Sequence, residues 1–151
     1  VDFLIKKKRD QLNRTKIFHY LNNSKYENFL KEIFLDINDN FVSYSYIKSN
    51  NRIIAVHIGF LHANNFYYLF PVYDYKFKHV TAGRFIISKL INNCFENGYF
   101  TFDFTTGGEI YKQEWSNEKT ILYSFIKNYS FLGKIFKLVY LFYKSLTKKF
   151  Y

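Results

Sequence analysis

The spacing of apolar positions changes several times along the chain, and each change marks a predicted element. Between Tyr26 and Ile37, the residues Phe29, Leu30, Ile33 and Phe34 recur at helical intervals behind a capping Ser24. From residue 41 the pattern becomes alternation. The runs "FVSYSYIK" (41–48), "IIAVHIGFL" (53–61) and "FYYLFPVY" (66–73) are separated by the polar turns "SNNR" and "HANN". Three such runs predict an antiparallel meander. After the loop "DYKFKHVTAG", helical spacing returns from Arg84 to Glu96, with Phe85, Ile86, Leu90, Ile91 and Phe95 on one face and Gly98 as the stop. "YFTFDF" predicts a fourth strand, "EIYKQEW" a short helix, "ILYSFIK" a fifth strand, and 131–150 a closing helix. Residues 2–16 read as a basic helix. The expected fold class is α+β, a mostly antiparallel central sheet with helices on both faces and a C-terminal amphipathic helix. No Pro- or Gly-rich linker interrupts it, so residues 1–130 are expected to form one domain and 131–151 the basic closing helix.

With 151 residues and 48% apolar content, the chain can bury a core and is not disordered. Tyr and Phe are abundant, 15 and 19 residues, beside many Asn, Lys and Ile. All five types have AT-rich codons, so the aromatics either follow gene composition or supply stacking surfaces. The net charge of +10 favours phosphate-bearing partners, whether nucleic acid, anionic lipid or a nucleotide cofactor. The single Cys94 cannot form an internal disulfide, and its helical apolar setting reads as a buried inert thiol. No apolar run spans a bilayer and no signal peptide is visible. The chain starts with Val and contains no Met, which reads as part of a longer protein.

Two stretches carry candidate chemistry. Thr81, Ala82 and Gly83 stand where the long helix begins, so its free N–H groups and partial positive charge could hold a phosphate, with Lys76, Lys78, His79 and Arg84 around them. The second is "FDFTTGGEIYKQEW" (102–115), a strand that ends on Asp103, breaks at two threonines and two glycines, and resumes with Glu109, Tyr111, Lys112 and Trp115.

The element order and these motifs resemble the GNAT acyltransferase superfamily, and within it the cellulose-biosynthesis-type (CelD-like) acetyltransferases related to the Fem-type transferases. In that branch Asp103, Gly107, Tyr111, Lys112 and Trp115 fall in register with the segment just quoted. Ala55-Val56-His57-Ile58-Gly59, Pro71-Val72-Tyr73-Asp74 and Thr81-Ala82-Gly83 resemble three further motifs, in the family's order. The departures are Thr105 for a glycine, Gly108 for an acidic residue and Ala82 for a proline. The family's first strand is missing as well.

The resemblance implies an acyl-CoA co-substrate, acetyl-CoA or another, attacked directly by an amine or hydroxyl of a cell-envelope sugar or related acceptor. The third strand is expected to splay from the fourth, with a backbone N–H near Val72 or Tyr73 facing the thioester oxygen. Val80, Thr81, Ala82, Gly83 and Arg84 would hold the pyrophosphate. Glu109, His57, Asp103, Asp74 and Tyr111 are the candidates for proton transfer, each with a structural alternative. For Glu109 that alternative is a helix N-terminal carboxylate, for His57 a hydrogen-bonded core residue, for Asp103 a turn anchor, and for Tyr111 packing. Lys112 either meets an anionic substrate or sits in water, and Trp115 is either packing or an acceptor platform. Metal is not expected, because His19, His57, His62 and His79 lack ligand-like spacing. The enzyme is expected to be cytoplasmic.

The closing helix places Lys134, Lys137, Lys144, Lys148 and Lys149 opposite Ile135, Phe136, Val139, Phe142, Leu146 and Phe150. It reads either as a docked helix with solvated lysines or as a peripheral contact with the inner face of an anionic membrane. Two rival functions stay open. One is an inactive GNAT-like interaction domain. The other is a nucleic-acid-binding module, which lacks an RNP-like strand, zinc spacing and a groove-reading basic helix.

Overall fold

The computed structural model describes residues 1–14, 20–36, 41–123 and 125–147. It divides into two compact parts, Val1–Thr105 and Thr106–Tyr151, a division that falls inside the 1–130 span expected to act together.

The first part is built on a sheet of four strands in the order β1-β2-β3-β4: Val42–Ser49, Arg52–His62, Asn65–Tyr73 and Thr101–Asp103. Two-residue turns join the first three. Asn50 and Asn51 have φ of 46° and 62°, and Ala63 and Asn64 have 47° and 60°. Positive φ at both central residues matches the right-handed twist of a hairpin, and Asn tolerates it better than other side-chain-bearing residues. The fourth strand runs parallel to β3 and is short.

Helices cover both faces. On one, Leu4 and Ile5 of α1 (Asp2–Arg14), Leu21, and Leu30 and Phe34 of α2 (Ser24–Asp36) close over Val42, Ile58 and Val72. Fully burying each such side chain is worth roughly 1.5–3 kcal/mol. On the other face lies α3 (Ala82–Glu96), with Ile86, Ile87, Leu90 and Cys94 buried. Burial pushes the Cys94 thiol up to about 11, so it stays an unreactive thiol at neutral pH.

Several expectations need correcting. The long helix starts at Ala82 rather than Arg84, so Ala82 and Gly83 are its first residues, not a turn before it. The N-terminal basic cluster is largely spent inside the fold. Lys7 pairs with Asp74 at 3.2 Å, Lys8 donates to the Pro71 carbonyl at 3.5 Å, and Arg9 binds the Leu21 carbonyl and Glu27.

The second part holds α4 (Ile110–Trp115) and α5 (Phe131–Thr147). The expected fifth strand is absent: residues 121–123 and 125–127 form no ladder, and Ile121, Leu122, Tyr123 and Phe125 are exposed. Alternating apolar residues become a strand only beside a partner with free backbone groups. Residues 148–150 of the expected closing helix, and residues 15–16 and Ile37 of the two earlier ones, lie outside the described residues.

Ala63 is the one residue in the two hairpin turns without a polar side chain to offset a left-handed backbone. Ala63→Asn should stabilise the chain by about 0.5–1 kcal/mol, read as a higher urea midpoint at unchanged slope. A lowered midpoint would contradict the turn assignment.

Candidate functional site

The edge of β3 is the first feature of the site. Its parallel pairing with β4 covers only Asn65↔Thr101, Phe66↔Phe102 and Tyr67↔Asp103, although β3 continues to Tyr73. On its other side β3 pairs with β2 throughout, with an irregularity between Ile58 and Gly59, where Phe70 and Tyr68 are the successive partners. Leu69 is therefore an extra residue, a β-bulge, and bulged residues drop out of the ladder.

The alternation beyond the bulge can be read from one bond. The Asp74 N–H donates to the Ile54 carbonyl at 2.8 Å, so Val72 and Phe70 also turn their backbone groups toward β2. Tyr73 and Pro71 turn theirs to the open edge, and Pro71 contributes only a carbonyl. Of the two expected N–H donors, Val72 is thus committed to the sheet and Tyr73 is at the edge.

What ends β4 is a local device. The Asp103 carboxylate accepts the Thr105 N–H at 2.6 Å, and Thr105 adopts a φ of 59°. That backbone explains why a glycine stands there in the resembling family, and it is costly for a β-branched residue. The Thr105 hydroxyl donates to the Tyr68 carbonyl at 3.3 Å, which helps hold it. Asp103 is exposed, and the role its contacts give it is that of turn anchor. At this point a mostly apolar cavity of about 400 Å³ opens, lined by Phe41, Phe60, His62, Tyr67, Leu69 and Thr105.

At its far end β3 runs into Asp74, a residue 2% exposed that organises the next turn. Its carboxylate meets Lys7 at 3.2 Å and Arg52 at 3.0 Å, and accepts the Lys76 N–H to cap a 3₁₀ turn over Tyr75–Val80. Burial pushes its pKa up, but the Lys76 N–H and the two cations outweigh this and hold the carboxyl below its usual range. These contacts make Asp74 a structural anion and not a proton acceptor, although it entered among the proton-transfer candidates. The turn leads to Thr81, at φ 50°, which precedes α3 without a side-chain cap. Val80 and Thr81 are exposed, Ala82 is buried, and Gly83 lies against the Tyr73 ring, whose Cδ1 would be 3.7 Å from an added Cβ. The start of α3 and the end of β3 therefore adjoin.

His57 is placed differently from the reading that offered it as a base. It is fully buried, stacked on Tyr68 at 4.4 Å and near Phe66, and neither ring nitrogen has a hydrogen-bond partner among the described residues. Burial pushes its pKa from 6.5 down to about 3, so it is neutral. The stack extends through Phe66 and Phe102, which gives the abundant aromatics a packing role. Gly59 completes it, because a Cβ there would stand 2.6 Å from the His57 ring and 2.5 Å from the Tyr67 carbonyl.

The second part gathers the rest of the predicted residues into a clamp. Lys112 is buried rather than solvated, and it bonds the Thr106 carbonyl at 2.8 Å and the Glu109 carboxylate at 2.9 Å. Gly107, at φ 131°, leaves space that any Cβ would take from Glu109 and Lys112, whereas Gly108 faces open space. Glu109 precedes α4 without capping it, and its side chain is 42% exposed. Burial, and after it the Glu109 charge, pushes Tyr111 up to about 12, so this phenol keeps its proton at neutral pH. Trp115 buries its indole N–H without a partner among the described residues. Asp74 with its cations and the bulge at Leu69 are the features sequence reasoning missed. Only Pro71 and the strand-ending Asp74 hinted at them.

A four-stranded sheet flanked by helices, with a C-terminal helix, is consistent with a GNAT-like fold. The chain belongs to the acetyltransferase (GNAT) domain family, whose family model matches residues 1–113. No curated protein and no solved structure matches it. Domains of this family transfer acyl groups and use acyl-CoA as co-substrate. The match includes Glu109, Tyr111 and Lys112 and stops short of Trp115.

The enclosed imidazole gives a testable pH dependence. Between its unfolded value of 6.5 and its folded value of about 3, the unfolded chain binds a proton that the folded chain does not. Stability should therefore fall as pH falls from about 6 toward about 5, by up to about 1.4 kcal/mol per pH unit from this group. His57→Leu should flatten that slope in urea melts. An unchanged slope would show that the ring is not enclosed.

Proposed function

We propose that this chain is an acyltransferase that moves an acetyl or other acyl group from acyl-CoA to an amine or hydroxyl by direct attack, without a covalent intermediate. The observation that carries this is the free edge of β3 beyond Tyr67, next to a bulge and ending at the start of α3. An extended amide-bearing arm such as pantetheine pairs with such an edge as an added strand. Here the Tyr73 N–H and carbonyl are the groups on offer, beside the Pro71 carbonyl that Lys8 already meets. The pyrophosphate sits at the N–H groups of Ala82 and Gly83, with Val80, Thr81 and Arg84 around it.

Because the Tyr73 ring lies against Gly83, Tyr73 belongs to the pyrophosphate end of this track. The thioester then falls near Leu69, four residues or about 13 Å away along the strand. The Leu69 N–H, at the bulge, is the oxyanion donor, and the adjoining cavity takes the acyl group. Glu109 serves as general base, held by Lys112. Tyr111, protonated at neutral pH, supplies the proton to the leaving thiolate. His57 and Asp103 are structural. The likeness to CelD-like and Fem-type transferases supports a cell-envelope sugar or amino sugar as acceptor and a cytoplasmic enzyme.

Two measurements test this. In thermal melts, acetyl-CoA at about 100 times its dissociation constant should add roughly 2.7 kcal/mol of stability. A shift with a DNA duplex alone would favour the nucleic-acid module, and no shift with either would favour an inactive domain. In thiol-release assays across a panel of amines and sugars, Leu69→Pro, which removes the N–H, should lower kcat about 10²–10³-fold. Leu69→Ala keeps the N–H and should not. Tyr73→Pro should instead raise KM about tenfold, the worth of one hydrogen bond. Glu109→Gln and Tyr111→Phe should each cost about 10²–10⁴ in rate. Equal kcat for Leu69→Pro and Leu69→Ala would remove the donor assignment.

A further inference from the structure

The second part carries an apolar surface that its own fold leaves uncovered. On α5, Leu138, Phe131, Phe142, Ile135, Val139, Leu132, Tyr143 and Phe136 fill one arc of about 160° at the helical 100° per residue. All of them are exposed, from 45% at Ile135 to 77% at Leu132. The polar side of the helix is the one turned to its own neighbours. Lys137 donates to the Ile126 carbonyl at 3.3 Å, and Gly133 lies near Ser130 and Asn128. The preceding segment adds Leu122, Tyr123, Phe125 and Tyr129, which are 71–90% exposed. An apolar surface of this extent is unusual on a soluble monomer and marks an interaction face.

Charge chooses the occupant. Residues 131–151 contain Lys134, Lys137, Lys144, Lys148 and Lys149 and no acidic residue. Pairing two copies through the apolar arc would bury it, yet would bring no acidic residue of either helix to these lysines. A helix with an aromatic and aliphatic face and an opposite face whose only charges are lysines instead matches the boundary of an anionic bilayer. The helix is about 10–12 Å across and the Debye length is about 8 Å at physiological salt, so lysines on its flanks stay within the surface field. No described helix is long and apolar enough to cross a membrane, and α5 at 17 residues is about 25 Å long. We infer that α5 lies flat in the headgroup layer of an anionic membrane, with Phe131, Leu132, Ile135, Phe136, Val139 and Phe142 among the acyl chains. This holds whether or not the acyl-transfer reading does, since its readout is lipid binding and not activity.

The experiment is co-sedimentation of the full chain with phosphatidylcholine vesicles and with vesicles containing phosphatidylglycerol. The protein should pellet with the anionic vesicles and far less with the neutral ones, and added salt should release it. Lys134→Glu with Lys144→Glu should weaken partitioning at least about 25-fold, at about fivefold for each lysine lost. Phe136→Ser with Phe142→Ser should abolish it while leaving the urea midpoint in place, because both rings are exposed in the fold. Equal recovery with and without anionic vesicles would overturn the inference. So would equal binding to neutral vesicles, or a dimer that Phe136→Ser dissociates and that ignores lipid.

Discussion

A buried carboxylate at the end of β3 is the constraint on which the first part depends. Asp74 has almost no contact with water and faces two cations and a backbone N–H, so its charge is fully partnered. Breaking such a set leaves buried charge behind and typically costs several kcal/mol. Each partner also comes from a different place: Lys7 from α1, Arg52 from the start of β2, and the Lys76 N–H from the turn that follows. One side chain thus ties a helix to the sheet, closes the β2–β3 ladder through its own N–H, and sets the path to Thr81 and α3. The uncapped start of α3 is downstream of that anchor.

The open edge has two causes that are local and independent of each other. Along β3, the extra residue Leu69 and the donor-free Pro71 weaken its capacity to extend a ladder on the far side. Along the neighbour, Asp103 captures the Thr105 N–H and turns the chain out of β4 after three paired residues. Either alone would leave a frayed edge. Together they leave a stretch of backbone whose polar groups face away from the sheet and require a partner. In the proposed reaction an amide-bearing ligand is that partner.

The meander was legible because alternation and Asn-rich two-residue turns are local signals, and both survive tertiary context. The helix pattern behind Thr81 was legible for the same reason. What could not be read were pairings over long separations, such as Lys7 with Asp74 or the stacking of His57 on Tyr68. The partners of the α1 lysines therefore stayed hidden, and His57 stayed open between a base and a core residue. The fifth strand failed for a related reason, since "ILYSFIK" has strand composition, yet residues 121–123 and 125–127 pair with no strand among the described residues. Composition reports which residues fit a strand. It does not report whether a partner is present.

The double glycine of the 102–115 segment follows from the same requirement for satisfied charge. Lysine is rarely buried without partners, and Lys112 has the Thr106 carbonyl on one side and Glu109 on the other. For both to reach one ammonium, the chain between them must turn tightly with no side chain in the way. Gly107 meets that need, in a backbone conformation few other residues adopt. Glu109 is consequently held in one orientation before any substrate arrives, while 42% of its side chain remains open to water. In the proposed reaction, a carboxylate pre-oriented by a buried cation and still accessible would need less reorganisation to take a proton than a mobile surface carboxylate would.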